Sequence, residues 1–404
     1  MALIPVEDQE VLRRRLHDHE VWIRCVDYLD WMREIDKNLD KSDVNKVHQA
    51  LLQSTEMLAT IWSAEEEDPL FVDEMDLPTH QRVSLAINLL MFGDRQGEGP
   101  RWEEIPIKAL GMLTEGHQLA LKEQDTQGHY PAWLGPKKGY KGKNHEEVEQ
   151  AALNLLVDFW DSAVVGRSYN YPEEMVPRLM DDGVTFSPLM VTLKKDDRAR
   201  LVWCDKMKAY KLRAVHNHKD ANRRSAVNSG LFSFRAPLQM GTDDQTIAAT
   251  VILEERNNPG YPIRGEKKDY SKAFTIVGEH KKAVGLRAAV MRGIANIKRV
   301  LTFGGKDAPG GWETKGAAPS DASRGMPWRD PKRDGDCIPR HNRCTDDTLH
   351  SVAAKGLRRE EYIKQFDQAQ DALAGRTANN EDKEGGGLTT STALEGCWHT
   401  QGEN

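Results

Sequence analysis

Between Asp8 and about Leu39 the apolar positions Val11, Leu16, Val21, Ile23, Cys25, Tyr28, Leu29 and Met32 recur at roughly helical spacing among many charges, which predicts an amphipathic helix. Ser42 is placed to cap a second, "DVNKVHQALLQSTEMLATIWSAEEE", by accepting from the first-turn amides. The same spacing predicts helices in "HQRVSLAINLLMFG", "IPIKALGMLTEGHQLALKEQ" and "HEEVEQAALNLLVDFWDSAVVG", and a short one begun by Pro172 in "YPEEMVPRLMDDG". The period then changes. In "TFSPLMVTLKKDDRARLVWCDK" two apolar runs, Leu189 to Leu193 and Leu201 to Cys204, flank a charged turn at Asp196 and Asp197, which predicts a β-hairpin. "GTDDQTIAATVILEE" reads as a helix capped by Thr242, and "IKRVLTF", Ile297 to Phe303, as a strand.

Past Gly310 the texture shifts again. "GGWETKGAAPSDASRGMPWRDPKRDGD" and "AGRTANNEDKEGGGLTTSTALEG" hold too few large apolar residues for a core, and only "GLRREEYIKQFDQAQDALAG" reads as helix there. The expectation is an α+β chain in three parts: a mostly helical region over 1–166, a mixed region over 167–312, and a low-complexity, largely disordered tail over 313–404. At 404 residues the length allows two or three domains, and 39% hydrophobic against 29% charged residues leaves part of the chain outside a core.

Charge sharpens this picture by region. A net charge of -7 argues against a protein that coats nucleic acid over its whole surface, yet Lys194 to Arg224 holds eleven Lys or Arg against four Asp. That tract predicts a polyanion-binding face, with a solvated surface as the plainer reading. Lys137, Lys138, Lys141 and Lys143, with Tyr140 among them, read first as a solvated loop and second as phosphate contacts. Five cysteines are an odd number scattered along the chain, so a reducing compartment is expected over a disulfide framework. With no signal-like opening and no bilayer-length apolar run, the expectation is an intracellular protein, cytoplasmic or nuclear, with no membrane partner.

Two acidic features are candidates for chemistry, Asp269 in "GEKKDYSKAFTI" and the pair Asp346 and Asp347 in "RCTDDTLH". Nucleotidyl transfer needs carboxylates, usually far apart in sequence, that hold two cations between the attacking oxygen and the leaving phosphate. Each feature alone also reads as a helix start or a solvated turn. Cys337, His341, Cys344 and His350 carry zinc-competent atoms, but their spacing matches no common module and they read as loop residues. No phosphate-binding loop, dinucleotide glycine motif or paired-His helix is present.

Taken in order, "SPLMVTLKKDDRAR", "DYSKAF", "FGGKDAP" with Trp312, and "CTDD" resemble the reverse transcriptases of retroelements, over roughly Ser187 to Trp312. The resemblance implies a partial fingers and palm domain over 167–312 and an RNA-directed DNA polymerase using Mg²⁺, with a template-primer and dNTP as partners. It implies that Asp269, Asp346 and Asp347 are catalytic, Asp269 and Asp346 binding metal, and that Phe274 screens the sugar 2′ position. Lys194 would grip the triphosphate with either Arg200 or Arg213, while Gly304, Ala308 and Pro309 would shape the turn supporting template and nucleotide. This chain departs from the family in having charged Glu266 to Lys268 before Asp269, no aromatic in "CTDD", and Gly and Pro where the family has a long helix after "FGGKDAP". The implied protein is therefore an active polymerase or a degenerate or truncated one, and the alternative is a non-catalytic helical nucleic-acid-binding or scaffold protein.

Overall fold

The computed structural model describes residues 17–70, 76–94, 104–131, 138–195, 200–205, 209–219, 227–231, 244–270, 273–326, 341–344, 347–353, 358–375, 378, 385–388, 390–393 and 396–399. The fold is α+β, and every pairing between its strands is antiparallel. Helix α1 runs Glu20–Asn38 and α2 Val44–Glu67. The cap of α2 is Asp43, whose carboxylate accepts from the Asn45 and Lys46 amides, while the hydroxyl expected to do so, Ser42, donates to Asp40. A carboxylate one residue nearer the helix carries a full charge to the same orphan N–H groups.

Helices α3 (Thr79–Asp94), α4 (Glu115–Gln127) and α5 (Ala152–Val164) follow, then strand β1 (Ser168–Pro172) and α6 (Val176–Asp181). Pro172 thus closes a strand and caps a 3-10 turn ahead of the helix. Next come β2 (Leu189–Leu193), β3 (Trp203–Cys204), β4 (Ala209–Tyr210), β5 (Leu212–His216), α7 (Asp244–Asn257) and β6 (Ile263–Asp269). Thr242, the expected cap of α7, lies outside the described residues. Strands β7 (Ala288–Met291) and β8 (Ile294–Lys298) precede α8 (Ala308–Ala322), so the strand expected over "IKRVLTF" ends at Lys298. Within 313–404, β9 (His341–Cys344), β10 (Asp347–Ala353), α9 (Arg358–Ala374), β11 (Gly385–Leu388), β12 (Thr390–Ala393) and β13 (Gly396–His399) follow; 327–340 and 400–404 lie outside the described residues.

Two compact units divide the chain, the first made of residues 1–95, 124–234 and 277–308, the second of 96–123, 235–276 and 309–404. In the first, the sheet β1-β8-β7 lies against α2 and α5 over a core that includes Trp62, Trp160, Tyr28, Tyr169, Tyr171 and Phe159. Aromatic bulk sets that core. Trp62 meets Tyr171 edge-on at 5.5 Å, and the Trp160 indole N–H reaches out to Asp36 at 2.8 Å. The β7–β8 hairpin turns on Arg292 and Gly293, both with positive φ, as a two-residue hairpin loop requires.

In the second unit the sheet order is β11-β6-β10-β9. Helices α7 and α9 pack on β10: Tyr362 and Phe366 of α9 lie edge-on against His350, and the Glu254 carboxylate of α7 accepts from the Ala353 amide. A satellite core joins Ala318 and Ala322 of α8 to Ala369, Ala372 and Leu373 of α9 and to Ile105, Ala109, Leu113 and Leu121.

Candidate active site

Strand β6 reads "IRGEKKD", an unlikely composition for a central strand, and its charges are accommodated by partners. Lys268 is buried and pairs at 3.1 Å with Asp367 on α9, so a helix 99 residues away neutralises it. A buried ion is tolerated only with such a partner. On the other side, β10 contributes Thr348, Leu349, His350, Ser351, Val352 and Ala353, all buried, and pairs with β6 from Asp347↔Asp269 to Ala353↔Ile263.

That register places Asp347 directly opposite Asp269. Positions so paired have Cα atoms about 4.5–5.5 Å apart and share one side of the sheet. Asp269 ends β6 and is 1% exposed, while Asp347 begins β10 immediately after the link from β9, opposite Cys344. Asp346, the other expected acid, lies in that link, outside the described residues. Like charges opposite each other destabilise a sheet, and burial of one of them adds a desolvation cost. Two carboxylates supply the hard oxygen donors that suit Mg²⁺. Among the described residues no group of three or more His, Cys, Asp or Glu surrounds a metal position.

The neighbourhood of Asp269 is set by α8. Tyr270 meets Trp312 edge-on at 4.8 Å, and a Cβ on Gly316 would come within 2.7 Å of the Trp312 ring, so glycine there lets the indole lie against its own helix. This explains why "APGGWETKGAAPSDA" is helical despite three glycines and Pro319: the apolar positions Ala318 and Ala322 are held in the satellite core. Tertiary packing outweighs weak propensity here. Phe274 lies half-buried in a 3-10 turn, Ala273–Ile276, five residues beyond Asp269.

The expected triphosphate residues stand in the first unit. Strand β2 pairs with β5 along its whole length, Leu189↔His216 to Leu193↔Leu212, whereas the expected partner, Leu201 to Cys204, supplies only a bridge to Lys195 and the two-residue ladder β3–β4. Arg213 is exposed opposite Thr192, Arg200 is exposed beside the bridge, and Lys194 is half-buried with its amide donating to the Lys211 carbonyl. Asp196 and Asp197 lie outside the described residues.

"FGGKDAP" is a turn held from several directions. Gly304 has φ +103°, and a Cβ there would stand 2.1 Å from the His216 carbonyl oxygen. Gly304→Ala is expected to destabilise the protein by about 2 kcal/mol or more, since strain and clash add, read as a fall in urea midpoint. The Asn228 side chain brackets the turn, donating to the Gly304 carbonyl at 2.8 Å and accepting from the Lys306 amide at 2.9 Å. Ala308 is buried at the start of α8, its amide donating to the Gly305 carbonyl, and Pro309 follows. Asp307 in this turn pairs with the buried Arg287, which also pairs with Glu279. None of Asn228, Arg287, Glu279 or His216 belongs to a local motif, so sequence reasoning passed over them.

His216 and His218 stack at 5.4 Å under the same turn, with His218 hydrogen-bonded to Ser187 at 2.8 Å and to Thr302 at 3.2 Å. Burial first, then the positive charge of Lys298, pushes the His216 imidazole down to about 3 from 6.5. Burial and its neighbour His216 likewise push His218 well below the ordinary value. A depressed folded value means that the unfolded chain takes up the proton first. Stability is therefore full above pH 6.5 and is lost as pH falls towards 3, by about 4–5 kcal/mol for His216 alone. Urea midpoints are expected to drop steadily below pH 6.5, and less steeply in His216→Phe.

Other expected sites resolve differently. Lys138 pairs with Asp181 and Lys141 with Glu173, so the lysine loop is neutralised there, and Lys137 lies outside the described residues. His341, Cys344 and His350, expected in a loop, are strand residues of β9 and β10, and Cys337 lies outside the described residues.

No family model and no curated protein matches the chain. Among solved structures it is similar to the prototype foamy virus protease-reverse transcriptase: the selenomethionine-labelled CSH mutant (14% identity, TM-score 0.44, 81% of this chain and 34% of that one) and the native protein (13%, 0.41, 81% and 34%). A foamy viral protease-reverse transcriptase, dRH, in complex with double-stranded DNA gives 13% identity and a TM-score of 0.38 over 78% of this chain and 42% of that one. The chain thus spans about two-fifths or less of the length of these proteins, and at such TM-scores the likeness establishes no shared activity.

Proposed function

We propose that this chain is a nucleotidyltransferase of the reverse-transcriptase type, adding deoxynucleotides to a primer on a nucleic-acid template. The observation that carries the reading is the register of β6 on β10, which sets Asp269 opposite Asp347 across 78 residues of sequence. Two acids brought to facing positions of one ladder are what a metal-dependent phosphoryl-transfer enzyme needs.

Asp269 and Asp347, with Asp346 next to Asp347 in sequence, would hold Mg²⁺. When bound, the metal lowers the pKa of the primer hydroxyl and offsets charge on the transferring phosphates. Asp269 at the end of β6 fixes one side of the site, and Phe274, five residues on, excludes a sugar 2′ hydroxyl by its bulk. Lys194, with Arg200 or Arg213, binds the triphosphate, an arginine as a planar fork and the lysine as a point charge. Gly304, Ala308 and Pro309 shape the turn on which template and nucleotide rest, which is why the Gly304 carbonyl needs the Asn228 bracket.

The test is incorporation of labelled dNTP on a primed RNA or DNA template with Mg²⁺. The wild-type protein is expected to extend the primer and Asp269→Asn is not. Absence of extension by the wild type, with oligonucleotide binding retained, would replace this reading with a binding protein that does not catalyse.

A further inference from the structure

The two short ladders β2–β5 and β3–β4 carry exposed apolar side chains that a solitary fold does not need. Trp203 and Tyr210 are paired directly across β3–β4 and meet edge-on at 5.2 Å, yet each is 47% exposed. Leu193 and Leu201 stand nearby in sequence and are 50% and 40% exposed. Two half-exposed aromatic rings paired on one short ladder mark an interaction surface more than a core. Backbone hydrogen bonds tie these segments together: Lys194 N–H to Lys211 O, Val202 N–H to Lys194 O, and Lys211 N–H to Val202 O.

The same segments carry the chain's concentration of positive charge. Among the described residues Lys194, Lys195, Arg200, Lys211 and Arg213 stand on or beside these segments, in a protein whose net charge is -7. Lys195, bridged to Leu201 just past β2, and Arg213 on β5 are both exposed. Such segregation selects an anion. Two aromatic faces among basic side chains select one whose repeating anionic backbone carries flat apolar groups, which is a single strand of nucleic acid. A duplex turns its base faces inward and would use only the charge.

We infer that the Trp203–Tyr210 ladder and the basic side chains around it form a binding surface for single-stranded nucleic acid, with bases stacking on the two rings. The surface is independent of the carboxylate pair. It would operate in a protein that does not catalyse, and its partner is held by stacking and phosphate contact without reading base edges.

The experiment is fluorescence anisotropy of the full chain with a labelled twelve-nucleotide oligo-dT and with a duplex of the same length, over a salt series. Trp203→Ala with Tyr210→Ala is expected to weaken oligo-dT binding by about tenfold or more at unchanged salt slope, and Lys195→Gln with Arg213→Gln to make that slope shallower. These positions are exposed, so near-ultraviolet circular dichroism of the variants is expected to match the wild type. Oligo-dT affinity within twofold of wild type in the aromatic double variant overturns the inference. So does equal affinity for the duplex, or full competition by polyglutamate, which would point to an acidic protein. Asp269→Asn is expected to keep wild-type oligo-dT affinity. Binding without primer extension removes the catalytic proposal and leaves this surface standing; extension with unchanged binding in the aromatic variant does the reverse.

Discussion

Asp269→Asn is expected to reduce primer extension by about a thousandfold or more while leaving the protein folded. The substitution keeps the size of the side chain and one acceptor oxygen, and removes the negative charge that holds a divalent cation. Loss of metal-based charge stabilisation is worth several kcal/mol in the transition state, and each 1.4 kcal/mol is tenfold in rate. Asp347→Asn is expected to have an effect of similar size, because the two positions oppose each other in one register and under the proposed function would act on the same ion. Stability should move the other way. Asp347→Asn removes one of two acids at facing positions of the ladder, so its urea midpoint in the absence of Mg²⁺ is expected to rise slightly. A rise in stability together with loss of activity separates a metal-holding pair from acids that merely support the strand. If the midpoint falls and extension is retained, the pair is structural.

Arg287→Met is expected to lower the unfolding free energy by about 3–5 kcal/mol, the usual consequence of removing one partner from buried ions. Arg287 is fully buried and is paired with Glu279, itself fully buried, and with Asp307, which also meets His129 at 3.2 Å. Methionine would fill much of the space and leave two carboxylates without compensation. Arg287→Lys is expected to rescue little, since a point charge cannot reach both acids as the guanidinium fork does.

The pH dependence gives an independent check. Burial acts to raise the Asp307 carboxyl, but the charge of Arg287 and hydrogen bonds from His129 and Arg287 outweigh it and hold the group well below the usual carboxylate range. A depressed folded value contributes stability above the ordinary carboxylate pKa, and that contribution is lost as pH falls through the carboxylate range. In Arg287→Met the stabilising charge is gone, so acid no longer removes that contribution. The gap between wild type and variant is expected to narrow from pH 7 to pH 4, measured as paired urea midpoints. His216 and His218 shift the difference in the same direction, because the Arg287 charge also helps to push both imidazoles down and its loss makes acid less costly to the variant.

Sequence periodicity was enough for the helices α1, α2, α5 and α9, because a helix with one solvated face carries its pattern within one window of residues. It failed for α8, where Gly310, Gly311, Gly316 and Pro319 argue locally against a helix that the core with α9 stabilises. The β2 hairpin was legible as two strands but not in its pairing. Leu201 to Cys204 and Leu212 to His216 are both short, half-apolar runs, and only assembly chooses the second.

What the sequence by itself determined is an order of motifs: a basic hairpin, then "DYSKAF", then "FGGKDAP", then "CTDD", with Asp269 and the Asp346–Asp347 pair as the acids to watch. Tertiary structure alone decided that Asp269 and Asp347 meet. The charged entry Glu266 to Lys268 becomes a central strand because Asp367, far along the chain, supplies the counterion that burial of Lys268 demands. Register is likewise a property of two strands and of the helices that cover them, so no stretch of either strand contains it. The physical reason is the same in both cases: the cost of burying a charge, or of opposing two, is settled by partners that local sequence does not name.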